Sequence, residues 1–170
     1  MEPSSLTDAP KHHPDCCLAI SRPLLKTLVS TLPRAPRLVL SIGSGSGLLE
    51  ATLLRFAPDQ VDIIGVEVSQ TVNKHLPESN TFFVNGTWAL HAEAQTAAAW
   101  MFVYPREPKL VQLYLETRSS DDLRTIVWLG PRSDWEDYAS VFELGDAFKI
   151  TLIEDCGAAA YELMAVMSRT

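Results

Sequence analysis

The segment Ser41-Ile42-Gly43-Ser44-Gly45-Ser46-Gly47 sets three glycines at alternate positions, directly after a short apolar run and directly before a helical pattern. Glycine lets the backbone turn sharply and approach a bound group with no Cβ in the way. The helix that follows offers unpaired N–H groups and the positive end of its dipole. A tight strand-to-helix turn without a ligand is the plainer reading, and three alternating glycines argue against it. The spacing matches neither common phosphate loop. A dinucleotide fingerprint runs G-x-G-x-x-G, whereas here the third glycine comes one residue early; a Walker loop ends in Gly-Lys-Ser/Thr, whereas Gly47 is followed by Leu48. The second feature is Ile64-Gly65-Val66-Glu67-Val68-Ser69, an apolar run ending in an acid. In a parallel sheet that carboxylate, 24 positions beyond Gly43, falls beside the glycine turn and can accept both hydroxyls of a ribose. Taken singly, Glu67 would be a solvated acid at a strand end.

Other reactive side chains follow later apolar runs, and ligands of open α/β sheets bind outside the carboxyl ends of the strands. Trp88 and His91 follow the third run, Tyr104, Arg106 and Glu107 the fourth, and Arg132 and Asp134 the fifth. A histidine or a tyrosine of lowered pKa can act as a base, and the Arg106 guanidinium could clamp a carboxylate or phosphate. Tyr104, Arg106 and His91 are therefore the catalytic candidates. Each has a bland counterpart: a Tyr-Pro turn, an Arg106–Glu107 surface pair, a surface imidazole. The cluster His12-His13-Pro14-Asp15-Cys16-Cys17 suggests a metal, but adjacent ligands seldom reach one tetrahedral ion and no second cluster completes the set. No metal is expected. Three cysteines cannot close a set of internal disulfides and read as reduced thiols.

The elements that must position these groups come from periodicity. Residues 1–14, rich in Pro, Ser and charge, read as a mobile arm. Residues 15–36 read as an N-terminal helix that could serve as a lid; Leu24, Leu25, Leu28, Val29 and Leu32 share one face, Ser21 caps it and Pro23 lies in its first turn. Residues 37–170 form the main domain. Its strands are expected at 37–42, 61–66, 81–84, 100–104 and 124–129, with helices at 48–56, from Pro108 and from Ser133, and an alanine-rich helical stretch before the fourth strand. Ser133 and Glu136 have capping-box spacing. Residues 148–154 and 161–167 are separated by too few residues for a crossover helix and should pair antiparallel. A doubly wound α/β sheet with one reversed strand results.

Strand, G-x-G-x-G, helix, acid-ended strand and terminal hairpin together resemble the class I (seven-strand, Rossmann-like) S-adenosylmethionine-dependent methyltransferases over about residues 37–168. The resemblance implies a seven-stranded sheet of order 3-2-1-4-5-7-6 with strand 7 antiparallel and helices on both faces. It implies S-adenosylmethionine as cofactor. Ser41, Gly43, Ser44, Gly45 and Gly47 would form the cofactor's bed, with the glycines under its methionine portion and ribose, Glu67 on its ribose hydroxyls and Val68 against its adenine. Asn85 and Gly86 would stand near the adenine amino group, and Tyr104 beside the transferred methyl. Two departures stand out. The family usually has an acid where this chain has Ser41. Many members also carry Asp or Asn-Pro-Pro-Tyr after the fourth strand, where this chain has Val103-Tyr104-Pro105-Arg106.

Composition excludes several classes. The chain has 170 residues, 14 Lys plus Arg against 21 Asp plus Glu, and a formal net charge of −7. That balance argues against sequence-independent nucleic-acid binding. At 46% hydrophobic and 21% charged it fits one globular domain with a sizeable core. No apolar run reaches a membrane span, and the first residues lack signal-peptide order, so a cytoplasmic protein is expected. Nearly all of 37–168 is consumed by the sheet and its helices, leaving no substrate cap. The expected activity is methyl transfer to a small molecule or an exposed protein group, with the N-terminal helix or a second subunit of a homodimer over the opening. The alternatives are a non-catalytic methyltransferase-like binding or scaffold protein, and the same fold put to another reaction such as a cyclisation.

Overall fold

The computed structural model describes residues 5–118, 121–143 and 148–169. The first elements are a hairpin of β1 (Lys11–His13) and β2 (Cys16–Ile20), followed by α1 (Arg22–Thr31). Where a helix is expected from residue 15, the chain is therefore extended to Ile20. The reason is a period of two: Cys16, Leu18 and Ile20 all turn toward the core, and Pro14-Asp15 makes the bend. Ser21 caps α1 as its type predicts, accepting from Leu24 N at 3.1 Å while donating to Gly157 O at 2.6 Å.

The main sheet comprises β3 (Leu38–Ile42), β4 (Asp62–Glu67), β5 (Thr81–Phe83), β6 (Ala99–Val103), β7 (Thr125–Pro131), β8 (Phe148–Ile153) and β9 (Glu162–Arg169). Their spatial order is β5-β4-β3-β6-β7-β9-β8, with β9 antiparallel to both its neighbours. This is the 3-2-1-4-5-7-6 order of the class I methyltransferase fold. α2 (Leu48–Phe56) follows β3, while α3 (Pro108–Glu116) and α4 (Trp135–Glu143) follow β6 and β7.

Strict alternation along the strands divides the interior into two layers. Val39, Ile63, Met101, Val127, Leu129 and Met164 face α1 and α2, meeting Leu24, Leu25, Leu28, Leu49 and Leu53. Leu40, Ile42, Trp100, Phe102, Ile126 and Trp128 face α3 and α4, meeting Val111, Tyr114, Tyr138 and Phe142. Burying each such side chain contributes roughly 1.5–3 kcal/mol against exposure, so a one-residue slip of any central strand is strongly disfavoured.

Two expected helical features differ. The alanine-rich stretch before β6 holds only a 3-10 turn, Ala92–Gln95, because Ala97 and Ala98 are buried on the approach to the strand and Trp100 Nε1 donates to Ala94 O at 3.1 Å. Packing thus outweighs alanine's helical preference. In place of a capping box, Arg132–Asp134 is a 3-10 turn that runs into α4, and Ser133 Oγ donates to Asp134 Oδ1 at 2.9 Å. Among the described residues no helix is long and apolar enough to cross a membrane.

Candidate functional site

Parallel registry brings the carboxyl ends of β3, β4 and β6 side by side: Ser41 lies opposite Gly65, and Ile42 lies between Val66 and Phe102. The glycine turn therefore leaves β3 with Glu67 on one side and Tyr104 on the other. A cavity of about 450 Å³ opens over it, within the range of small-molecule sites.

The turn is tied down by its own backbone, with Gly43 N donating to Val66 O at 2.9 Å and Gly47 N to Ser44 O at 3.0 Å. Gly43 and Gly45 have φ of +75° and +58°, and where their side chains would stand there is open space inside the cavity. Gly47, also at φ +75°, does something else. A Cβ there would come within 2.8 Å of Asn73 Oδ1 and Leu76 Cγ, so this glycine admits the 73–76 turn rather than facing the cavity.

Glu67 turns toward the glycines. Its Oε1 accepts from Gly45 N at 2.6 Å and its Oε2 from Val68 N at 3.1 Å. Two acceptor positions of the carboxylate remain open, since an ionised acid offers about four. Val68, Val72 and Val84 extend the wall from Glu67, and Val68 and Val72 are exposed. Trp88 also lines the cavity, with Lys109 Nζ 4.8 Å from the centre of its ring.

Beneath the turn lies a residue that the sequence reading left out. Glu50, on the first turns of α2, is 2% exposed and lines the cavity. Ser41 Oγ donates to its Oε1 at 2.5 Å, while its Oε2 has no hydrogen-bond partner. Burial pushes the Glu50 carboxyl up to about 7, against the opposing pull of the Ser41 hydrogen bond and with Glu67 adding to the rise. Ser44 Oγ, packed toward Gly65 and Leu76, is a second buried polar atom without a partner. The signal was present: Glu50 is the one acid within Leu48-Leu49-Glu50-Ala51-Thr52-Leu53-Leu54, immediately after the glycine turn.

The N-terminal hairpin closes one side. Asp15, Cys16 and Cys17 line the cavity, and the hairpin bend is strapped to the glycine turn by Ser46 Oγ donating to Asp15 O at 2.5 Å. Lys74 Nζ and His75 Nε2 lie 2.8 and 2.9 Å from the Asp15 carboxylate. Hydrogen bonds from these two side chains hold that carboxyl below its usual range.

The remaining candidates separate. Tyr104 and Arg106 border the cavity, with Glu107 and Leu110. Tyr104 sits at φ +49°, and its hydroxyl donates to Glu162 Oε1 at 2.8 Å. Glu162 is itself 2% exposed and accepts from Ala19 N and Ala159 N. Burial first, and the Glu162 carboxylate next, push the Tyr104 hydroxyl above its ordinary range, which disfavours phenolate. His91 lies outside the cavity lining. Its ring stacks on Phe82 with centroids 4.3 Å apart, and its Nδ1 accepts from Glu93 N. Ser41 lies beneath the turn and reaches the site through Glu50. Asn85 and Gly86 are exposed beyond the lining, which Val84, Thr87, Trp88 and Ala89 on either side of them reach. Arg132 pairs with Glu154 at 3.0 Å, away from the cavity, and Asp134 also lies outside it. Among the described residues no group of three or more His, Cys, Asp or Glu is placed to hold a metal ion.

No family model matches the chain, and no curated protein does. Solved structures do. The chain is similar to a precorrin-6y C5,15-methyltransferase from Geobacter metallireducens, with 10% identity, TM-score 0.65, and 95% of this chain and 94% of that one covered. It is similar to the plantazolicin methyltransferase BpumL, solved with a triazolic desmethylPZN analogue and SAH, with 10% identity, TM-score 0.59, and 87% and 84% covered. It is also similar to the small RNA methyltransferase HEN1, with 13% identity and TM-score 0.62, over 85% of this chain but spanning only 24% of that one. The chain thus has the fold of the class I S-adenosylmethionine-dependent methyltransferases.

Proposed function

We propose that the protein is an S-adenosylmethionine-dependent methyltransferase acting on a small molecule or an exposed protein group. The observation that carries this reading is the hollow over Gly43 and Gly45, bounded by a Glu67 carboxylate that keeps acceptor positions free. The residues present fit the cofactor. Side chains are absent where its backbone-facing edge would lie, and Val68, Val72 and Val84 offer an apolar wall beside Glu67 for a purine. A buried polar atom of a lining residue, Glu50 Oε2, has no hydrogen-bond partner among the described residues.

When bound, S-adenosylmethionine supplies a methyl group on a positively charged sulfur. What the chain's residues do is align and exclude water, and alignment provides much of the advantage in an in-line displacement. Glu67 and the glycine backbone hold the nucleoside. The Asp15–Cys17 bend covers one side of the cavity. Arg106 and Trp88 stand at the mouth, where a guanidinium can orient a carboxylate or phosphate and an indole can pack on an apolar ring. Tyr104 acts by position, its hydroxyl committed to Glu162. An acceptor that is already nucleophilic, or that loses its proton to solvent, suits such a site.

Titration calorimetry with S-adenosylmethionine and S-adenosylhomocysteine tests the reading. Both should bind the native protein, and Gly45→Asp, which pushes a side chain into the hollow from a left-handed residue, should abolish binding. Failure of both ligands to bind at millimolar concentration overturns the proposal. A second reading, a methyltransferase-like protein that binds cofactor without transferring methyl, is supported by the absence of an acid in Val103-Tyr104-Pro105-Arg106 and by the engaged Tyr104 hydroxyl. Incorporation of labelled methyl into candidate extracts, lowered by Arg106→Ala, separates the two.

A further inference from the structure

Resting on the cofactor reading above, we propose that Glu50 is the anchor for the α-ammonium of the cofactor's amino-acid tail, and that docking of this ammonium expels a proton from Glu50 into solvent. Glu50 stands on α2 and accepts a hydrogen bond from Ser41 near the end of β3.

Three observations carry the assignment. First, the carboxyl is oriented with one oxygen in reserve. Ser41 Oγ holds Oε1 at 2.5 Å, and Oε2 is buried without a partner on a residue that lines the cavity. A carboxyl kept only for packing would be more stable as an apolar side chain of similar size, because its desolvation is uncompensated. Second, the two acids of the site are tied to different points along the glycine turn. Glu67 grips Gly45 N, while Glu50 is tied to Ser41, two residues before Gly43. An adenosyl amino acid laid along the turn presents ribose hydroxyls at one end and an ammonium at the other.

Third, no positive charge is already there. The ionisable neighbours of Glu50 are Cys16 of β2, whose thiol burial pushes up to about 12 and so keeps neutral, and Glu67 of β4. The facing group on β3 is the Ser41 hydroxyl. Among the described residues no Lys, Arg or His forms an ion pair with Glu50. With burial holding its carboxyl near 7, Glu50 is largely protonated in the empty site below neutrality. An ammonium at Oε2 favours the carboxylate, so the proton leaves as the ligand enters.

The test is titration calorimetry of the native protein with S-adenosylhomocysteine in buffers of different protonation enthalpy. A group titrating near 7 should release about three quarters of a proton per ligand at pH 6.5 and about a tenth at pH 8. The compound 5′-methylthioadenosine keeps the nucleoside and lacks the ammonium, so it should bind with no such release. Glu50→Gln should weaken S-adenosylhomocysteine at least tenfold, abolish the proton release and leave 5′-methylthioadenosine affinity unchanged, which also reports that the variant is folded. Equal affinity of S-adenosylhomocysteine for native protein and variant, or equal proton release from the two ligands, overturns the assignment while leaving the cofactor reading intact. The native-protein measurement decides even where the variant does not fold. Binding of neither ligand to the native protein overturns the cofactor reading and this inference together.

Discussion

Glu50→Gln should do opposite things to ligand binding and to the stability of the empty protein at alkaline pH. In the folded, empty protein the Glu50 carboxyl titrates near 7, raised from an ordinary value of 4.5. Between those two values the unfolded chain has lost the proton and the folded chain still holds it. The folded state then binds more protons, so stability falls as pH rises through this window. Below about 4.5 the group is protonated in both states and contributes nothing; above about 7 the full penalty of an unpaired buried carboxylate is present. A separation of this size is worth on the order of 3 kcal/mol. Glutamine keeps the acceptor for Ser41 Oγ but cannot ionise, at the cost of about 1 kcal/mol for an unpaired amide N–H. The stability of the variant minus that of the native protein should therefore rise by roughly 3 kcal/mol between pH 4.5 and pH 8, changing sign on the way. For a chain of this length the change is about 6–12 °C in melting temperature. Urea or thermal unfolding across that pH range, without ligand, reads it directly. A difference that stays flat from pH 4.5 to 8 would refute the reasoning, since it would mean that Glu50 is already paired or hydrated in the folded protein.

Two further outcomes follow from the same geometry. Gly47→Ala should destabilise the protein by about 2 kcal/mol, because it joins a left-handed backbone to a collision with Leu76 and Asn73, and calorimetric melting measures it. Tyr104→Phe removes the hydroxyl donor from the buried Glu162 and should lower stability by about 1–3 kcal/mol. The same variant should leave the pH profile of any methyl transfer unchanged below pH 9; loss of a rise in rate with increasing pH would restore Tyr104 as a base.

Several features around the cavity are legible in the sequence. The alternating glycines and the acid-ended second run are local signals. A parallel sheet allows few places for a turn and a neighbouring strand end, and Glu67 does lie against Gly45. The helix of Leu24, Leu25 and Leu28 and the terminal hairpin were equally visible, because their periods of 3.6 and two are written in consecutive residues. The hairpin at 11–20 was missed because Cys16, Leu18 and Ile20 give only three inward positions, too short a pattern to compete with the helix that follows.

His91 shows where such reading stops. Its place after the third strand puts it near the cavity in sequence, yet the chain between β5 and β6 turns so that the ring stacks on Phe82 instead. Glu50 shows the converse: an acid in an apolar stretch whose direction depends on the rotation of α2, and that rotation is set by Leu49 and Leu53 packing against the sheet. By itself, then, the sequence determined the strand and helix periods, the glycine turn and the net negative charge, all properties of neighbouring residues. Only the tertiary structure decided which buried side chains meet across the glycine turn, because the contacts of Glu50 with Ser41 and of Tyr104 with Glu162 join segments whose relative orientation is the outcome of packing the whole core.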